Sequence, residues 1–224
     1  MRVLLVSFGI VLIDQISKLA VKGFSIPFLK INYEGMYEGQ RIHVIGNFFR
    51  ITFIENPGMA FGFDPGINFK LWISIFSIIA SIGLVFYIYF VRKQNLALKL
   101  SLAFILGGAI GNLIDRMFYG VFYGYAPVFY GRVVDFLDFD FFHFSLFGKT
   151  FDRWPIFNIA DAAVTIGVII LIFFYRQKQK EDDLENEDEN PVTVNTDGSV
   201  ETNLPEQERG TEDGETDKGK EISV

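Results

Sequence analysis

Four runs of apolar residues dominate the chain, at 3–20, 69–91, 98–117 and 156–175. A helix rises 1.5 Å per residue, so about 20 apolar residues cross a hydrocarbon core. The pattern predicts an all-α membrane protein with four transmembrane helices. The first run lies at the N-terminus, where a cleaved targeting peptide is the competing reading. It contains Asp14 and Lys18, and no A-x-A-like small-residue site follows it, so it is read as a retained span.

Basic residues flank these runs on one side. Arg2 precedes the first, Arg92, Lys93 and Lys99 fill the link between the second and third, and Arg176, Lys178 and Lys180 follow the fourth. Four spans bring all three groups to the same face, which the positive-inside rule makes cytoplasmic, with both termini there. Lys22, Lys30, Arg41 and Arg50 compete less well, scattered through a 48-residue outer loop at 21–68.

Within that loop, Gly46-Asn47 separates two short runs rich in Ile, Val, Phe and Thr between Arg41 and Glu55, a hairpin signal. The second outer loop, 118–155, holds seven aromatics in 118–130 and four more in 139–144. Such density beside a span reads as a belt at the headgroup level, with a substrate-facing role the alternative for some rings. His143 is placed in that belt without a chemical role.

Composition changes the picture at the C-terminus. Residues 181–224 carry 16 acidic and 3 basic side chains, so this −13 segment leaves +6 on residues 1–180 of a chain whose total is −7. The mean hydropathy of +0.29 therefore averages two unlike parts: a membrane domain at 1–180 and an acidic tail at 181–224. The tail has too few large apolar residues to offset the entropy of ordering and is expected to be disordered and cytoplasmic. An apolar, mildly basic body argues against nucleic acid as the main partner. The absence of cysteine excludes disulfides, a thiol nucleophile and Cys-ligated zinc. Two histidines and no HExxH leave no metal site to predict, and no cofactor is expected.

Ionisable groups inside spans cost roughly 2.5–3.5 kcal/mol each on insertion scales, so each needs a reason. Asn112, Asp115 and Arg116 fall at i, i+3 and i+4 of the third run, and Asn158, Asp161 and Thr165 at i, i+3 and i+7 of the fourth. Each set forms one helical face. Gly107, Gly108, Ala109 and Gly111 let a neighbouring helix come close to the third. Both polar faces lie at the outer ends of their helices. Asp135, in Val133-Val134-Asp135-Phe136, belongs to a loop segment apolar enough to fold back onto the bundle.

Five motifs in this order, Asp14-Gln15-x-x-Lys18, Asn56-x-Gly58-x-Ala60-Phe61, Gly111-Asn112-x-x-Asp115-Arg116, Val134-Asp135-Phe136 and Phe157-Asn158-x-Ala160-Asp161, resemble those of the lipoprotein signal peptidases, or signal peptidase II. The resemblance covers about residues 1–175. It implies a membrane aspartyl endopeptidase with a small extracytoplasmic β-hairpin or β-cradle and an interfacial loop. Such an enzyme removes the signal peptide of a diacylglyceryl-modified prolipoprotein, cutting before the lipidated Cys. It implies Asp135 and Asp161 as the catalytic pair, and it suggests that Arg116 helps to hold the substrate backbone. A bacterial inner-membrane monomer with its site near the outer leaflet is expected, with membrane lipid and globomycin-like inhibitors as further partners. The chain departs from the family in the 18 residues between Arg116 and Asp135, whose aromatics are read as an interfacial hairpin.

Two nearby carboxylates suit metal-free amide hydrolysis, because like charges a few Å apart hold one proton between them. Asp14 has Lys18 one turn on and Asp115 has Arg116 beside it, so both are read as structural ion pairs less suited to sharing a proton. Asn56, Asn112 and Asn158 either satisfy buried backbone groups or bind substrate and the acids, and Gly58 is grouped with the substrate-binding set. A small transporter predicts polar residues across the whole membrane thickness, whereas the cytoplasmic halves of spans 2 and 4 are essentially apolar. A non-enzymatic scaffold would use the acidic tail.

Overall fold

A computed structural model describes residues 2–58, 67–141, 144–146, 149–151, 153–189, 193–194 and 200–201. The chain divides into two units, Met1–Tyr175 and Arg176–Val224. In chain order the elements are α1 (Val3–Lys22), β1 (Phe24–Ile26), β2 (Ile31–Tyr33), β3 (Arg41–Ile45), β4 (Phe49–Asn56), α2 (Ile67–Phe90), α3 (Leu96–Ile114), α4 (Gly120–Phe122), β5 (Val133–Phe139), β6 (Phe144–Leu146), β7 (Lys149–Phe151), α5 (Ile159–Glu189), β8 (Thr193–Val194) and β9 (Val200–Glu201).

Burial in the first unit is inside out. Along α1 the buried residues are Val3, Ser7, Asp14, Lys18 and Val21, one stripe at helical spacing, while Leu5, Phe8, Leu12, Ile13 and Ile16 are exposed. A helix that hides its charges and shows its leucines is built for lipid on one side and protein on the other. Among the described residues three helices are long and apolar enough to cross a membrane, Val3–Lys22, Lys70–Phe90 and Leu96–Phe122, and Ile159–Phe174 is a shorter apolar helix. The fourth expected run thus begins three residues late: 156–158 are not helical, and Asn158 precedes the helix instead of lying on its face.

Small residues set the spacing. A methyl group added at Gly111 would lie 2.7 Å from Asp14 Oδ2 and 3.1 Å from Ala160 Cβ, and at Gly108 it would collide with the Ala160 carbonyl. Only glycine lets α3 approach both neighbours this closely. Leu98, Leu102, Ala103 and Leu106 of α3 pack with Val3, Ile88 and Val91 in one apolar core.

Beside the apolar helices the first unit carries a three-stranded antiparallel sheet in the order β3-β4-β5. β3 and β4 pair antiparallel on either side of Gly46-Asn47, with Gly46 at φ +49° and a register shift between His43 and Ile45. β5 is the segment folded back, and Val134 is fully buried against Val21, Phe53, Tyr119 and Phe136. Leu137 forms an isolated antiparallel bridge with Phe157, which sets Asn158 beside β5.

The expectation for the loop after Arg116 is corrected. The aromatic stretch after Arg116 is not a hairpin: α3 runs through a widened turn at Asp115–Tyr119 into α4, followed by turns. Tyr119 and Gly120 are buried there, so helix continuation wins over strand formation; the two-stranded ribbon is β6-β7 instead. α5 continues to Glu189, through Glu-rich sequence that favours helix. His143, and Met59 to Gly62 of the second motif, lie outside the described residues.

Candidate active site

The chain places four elements around Asn158. Its Oδ1 accepts from the Asp161 N–H at 3.0 Å, and Asp161 Oδ2 accepts from the Asn158 N–H at 3.2 Å. This reciprocal cap, Asn-x-x-Asp, satisfies two orphan donors at the start of α5 and fixes the Asp161 carboxylate there. The Asn158 amide Nδ2 donates to Asp135 Oδ1 at 2.7 Å, to Asn112 Oδ1 at 3.0 Å and to the Val134 carbonyl at 3.2 Å. One fully buried asparagine thus carries both carboxylates, one through its side chain and one through its backbone.

Asn112, from α3, donates to Asp161 Oδ1 at 2.7 Å, and Asn56, from β4, donates to Asp135 Oδ2 at 3.1 Å. Asn56 Oδ1 in turn accepts from the Gly58 N–H at 2.9 Å, which holds Gly58 in a turn at φ +95° that favours glycine. Among the described residues neither Asp135 nor Asp161 has an ion-pair partner. Burial, and then the charge of Asp161, push the Asp135 carboxyl up to about 7, against the hydrogen bonds from Asn56 and Asn158 and the charge of Lys18. Asp161 is only half-buried and lines a groove of about 490 Å³ with Phe141, Trp154, Phe157, Ala162, Thr165 and Ile166.

The other acids are differently placed. Lys18 Nζ lies 2.9 Å from Asp14 Oδ2, 2.7 Å from Asp115 Oδ2 and 3.0 Å from Asn112 Oδ1, with all three charged side chains fully buried. The Asp14–Lys18 pair stands as read, but Asp115 pairs with Lys18 and not with Arg116. The reason is direction: Asp115 faces α1, where Gln15 Nε2 also donates to it at 2.9 Å. Asp14 Oδ1 caps α5 by accepting from the Ala160 N–H at 2.9 Å, and Asp115 Oδ2 accepts from the Val134 N–H at 3.2 Å. The cluster therefore holds both elements that carry Asp135 and Asp161.

Arg116 is half-buried; its carbonyl accepts from the Gly131 N–H at 2.9 Å, while its guanidinium makes no hydrogen bond or ion pair among the described residues. The charges of Asp115, Asp161 and Asp135 all act on it. It is a cation beside the two carboxylates with its donors open.

The family profile described as signal peptidase (SPase) II matches residues 6–176. The chain belongs to the signal peptidase II family. A lipoprotein signal peptidase of Chlorobium phaeobacteroides (strain BS1) is 34% identical over 168 residues, covering 75% of this chain and 91% of that protein. One from Porphyromonas gingivalis (strain ATCC 33277) is 35% identical, covering 74% of this chain and 79% of that protein. A solved structure described as a bacterial membrane enzyme determined by the in meso method at 1.9 Å resolution superposes with a TM-score of 0.57 at 31% identity, covering 78% of this chain and 92% of that one.

One polar cluster of this signal peptidase II chain had not been singled out in the sequence. Asp138, buried on β5 and three residues from Asp135, accepts from Arg153 Nε at 2.6 Å, Thr52 Oγ1 at 2.6 Å and Arg50 Nε at 3.2 Å. Burial alone would raise its carboxyl, but these hydrogen bonds and the two guanidinium charges hold it below the ordinary carboxylate value. An odd spacing on a strand turns the two acids to opposite faces, which is the signal that could have separated them.

Proposed function

We propose that this chain removes signal peptides from prolipoproteins by aspartyl catalysis at Asp135 and Asp161, cutting before the diacylglyceryl-modified Cys. The observation that carries the reading is Asn158 bonded to both carboxylates, with Asp135 raised to about 7 and, among the described residues, no cation bonded to either acid. Asp135, the more buried, holds the shared proton; Asp161, open to the groove, is the base. Asp161 takes a proton from water as its oxygen attacks the scissile carbonyl carbon. Asp135 protonates the carbonyl oxygen, and collapse of the resulting tetrahedral diol passes a proton to the departing nitrogen. Asn112 and Asn158 hold the carboxylates in register, Asn56 and Gly58 border the site, and the open donors of Arg116 bind a substrate carbonyl. Asp14, Lys18 and Asp115 keep the scaffold in place.

The apolar groove leading from Asp161 past Phe157 and Ile166 suits entry of a signal peptide from within the membrane, its acyl groups remaining in lipid. Four spans, with α5 the fourth, leave both termini cytoplasmic and the dyad near the outer leaflet. A globomycin-like peptide mimic would bind across Asp135 and Asp161. The test is incubation of purified protein with a lipidated and an unlipidated precursor, reading the new N-terminus. Cleavage of the lipidated form alone, giving an N-terminal lipidated Cys, is expected; equal cleavage of both, or a cut elsewhere, overturns the substrate assignment.

A further inference from the structure

The aromatic stretch that lengthens the path from Arg116 to Asp135 builds a second pocket, away from the dyad. A cavity of about 440 Å³ is lined by Lys70, Tyr125, Ala126, Pro127, Tyr130 and Arg132. Its walls are tied together. Ser74, fully buried one turn after Lys70, donates to the Lys70 carbonyl at 2.9 Å and to the Phe129 carbonyl at 3.1 Å, stitching the start of α2 to the loop. Phe129 adopts φ +74° there, a conformation rare for a side chain of its size. The Tyr125 hydroxyl accepts from the Arg132 N–H at 2.9 Å, and its ring lies 5.4 Å from the Arg132 guanidinium.

Charge in and around this pocket is unbalanced. Lys70 has no ion pair or hydrogen bond from its ammonium among the described residues. Arg132, 44% exposed, spends one nitrogen on Glu55 Oε2 at 3.3 Å. Glu55 is already shared with Lys22, whose ammonium stacks 4.1 Å from the Tyr123 ring and also feels Glu38. Three cations therefore face one directly paired carboxylate. The surface beside Lys70 is apolar: Trp72, Phe76 and Val128 are 65%, 72% and 41% exposed, with Trp72 and Phe76 on a helix long and apolar enough to span a membrane.

Two cations and two tyrosines lining a pocket, with aromatic and aliphatic side chains continuing toward lipid, match a molecule with a phosphate head and acyl chains. We propose that this pocket binds the phosphate of an anionic phospholipid headgroup, with Lys70 and Arg132 on its oxygens and the acyl chains along Trp72 and Phe76. The apolar rim selects a lipid over a free phosphate, which would leave those rings without a partner. The site is distinct from the peptidase chemistry and is tested without it.

The experiment measures lipid binding to the purified full-length protein by native mass spectrometry. Phosphatidylglycerol and phosphatidylcholine of identical acyl chains are compared, with inorganic phosphate as a third ligand. The wild type is expected to prefer phosphatidylglycerol. Lys70→Gln, which breaks no bond in the structure, is expected to weaken that preference about fivefold, and Lys70→Gln with Arg132→Gln roughly 25-fold. Lys70→Arg retains it. If the double variant does not fold, Lys70→Gln alone decides. Absence of a headgroup preference in the wild type, an unchanged preference in folded Lys70→Gln, or inorganic phosphate binding as tightly as the lipid would each overturn the proposal.

Discussion

Two pairs of aspartates lie on neighbouring elements of one bundle, and they differ in what surrounds them. Asp14 and Asp115 share the Lys18 ammonium, and all four of their oxygens are bonded, to Lys18, Gln15, Ala160 N–H and Val134 N–H. Among the described residues, Asp135 and Asp161 accept hydrogen bonds from amides of Asn56, Asn112 and Asn158. A buried carboxylate with a cation and a full set of donors is held in place. One with amides alone and another acid close by favours keeping a proton. Under the proposed function, the same residue type is scaffold in one place and reagent in the other, and the partner decides which.

The largest effect should come from removing the reagent pair. Asp135→Asn and Asp161→Asn are each expected to lower kcat/KM for a lipidated precursor by about 10³-fold or more, since general acid–base groups contribute on this scale. Both proteins should still accumulate in the membrane, as a blot of the membrane fraction would register. Retained cleavage in either removes that residue from the pair.

Removing the scaffold cation should act on folding instead. Lys18→Met leaves Asp14 and Asp115 buried without their counter-charge, a loss of about 3–5 kcal/mol, read as a fall in melting temperature or loss of folded protein. Asp14→Asn is milder, about 1–3 kcal/mol, because an amide oxygen can still cap Ala160. Normal stability with lost activity in Asp14→Asn would place that residue among the reagents and erase the contrast.

A pH series sharpens the comparison further. The folded Asp135 value of about 7 stands above the ordinary 3.8, so between those limits the folded chain holds a proton that the unfolded chain releases. Its contribution to stability is complete below about pH 4, declines as pH rises to about 7, and is then lost. Asp135→Asn should therefore gain melting temperature over wild type at pH 8 and less at pH 5. Asp138 runs the other way: its contribution is present above the ordinary carboxylate value and lost as pH falls through its depressed folded value. The smallest effect is expected from deleting residues 181–224, after which cleavage should persist; its loss would favour the scaffold reading of the tail.

Much of this was legible because it rests on local chemistry. Hydropathy alone marks the apolar helices, the glycines of α3 mark its close approaches, and Asn158-x-x-Asp161 is a capping pattern readable as text. What was missed depends on direction. Sequence adjacency pairs Asp115 with Arg116, but consecutive helical residues diverge, and Asp115 turns to Lys18, 97 positions away in the chain. The stretch expected to form a hairpin after Arg116 continues as helix to Phe122 and then as turns, because Tyr119 and Gly120 pack inward, a tertiary preference that no local pattern displays. The network of Asp138 with Arg153 and Arg50 joins three segments and has no sequence signature beyond a strand's alternation.

The most direct test is to watch the shared proton. Infrared spectroscopy of the folded protein across pH 5 to 9 should show a protonated carboxyl band that disappears as pH passes about 7, and Asp135→Asn should lack that titrating band. A wild type with no carboxyl titrating near neutrality, or a band that persists unchanged in Asp135→Asn, would contradict the assignment of Asp135 as the acid of the pair.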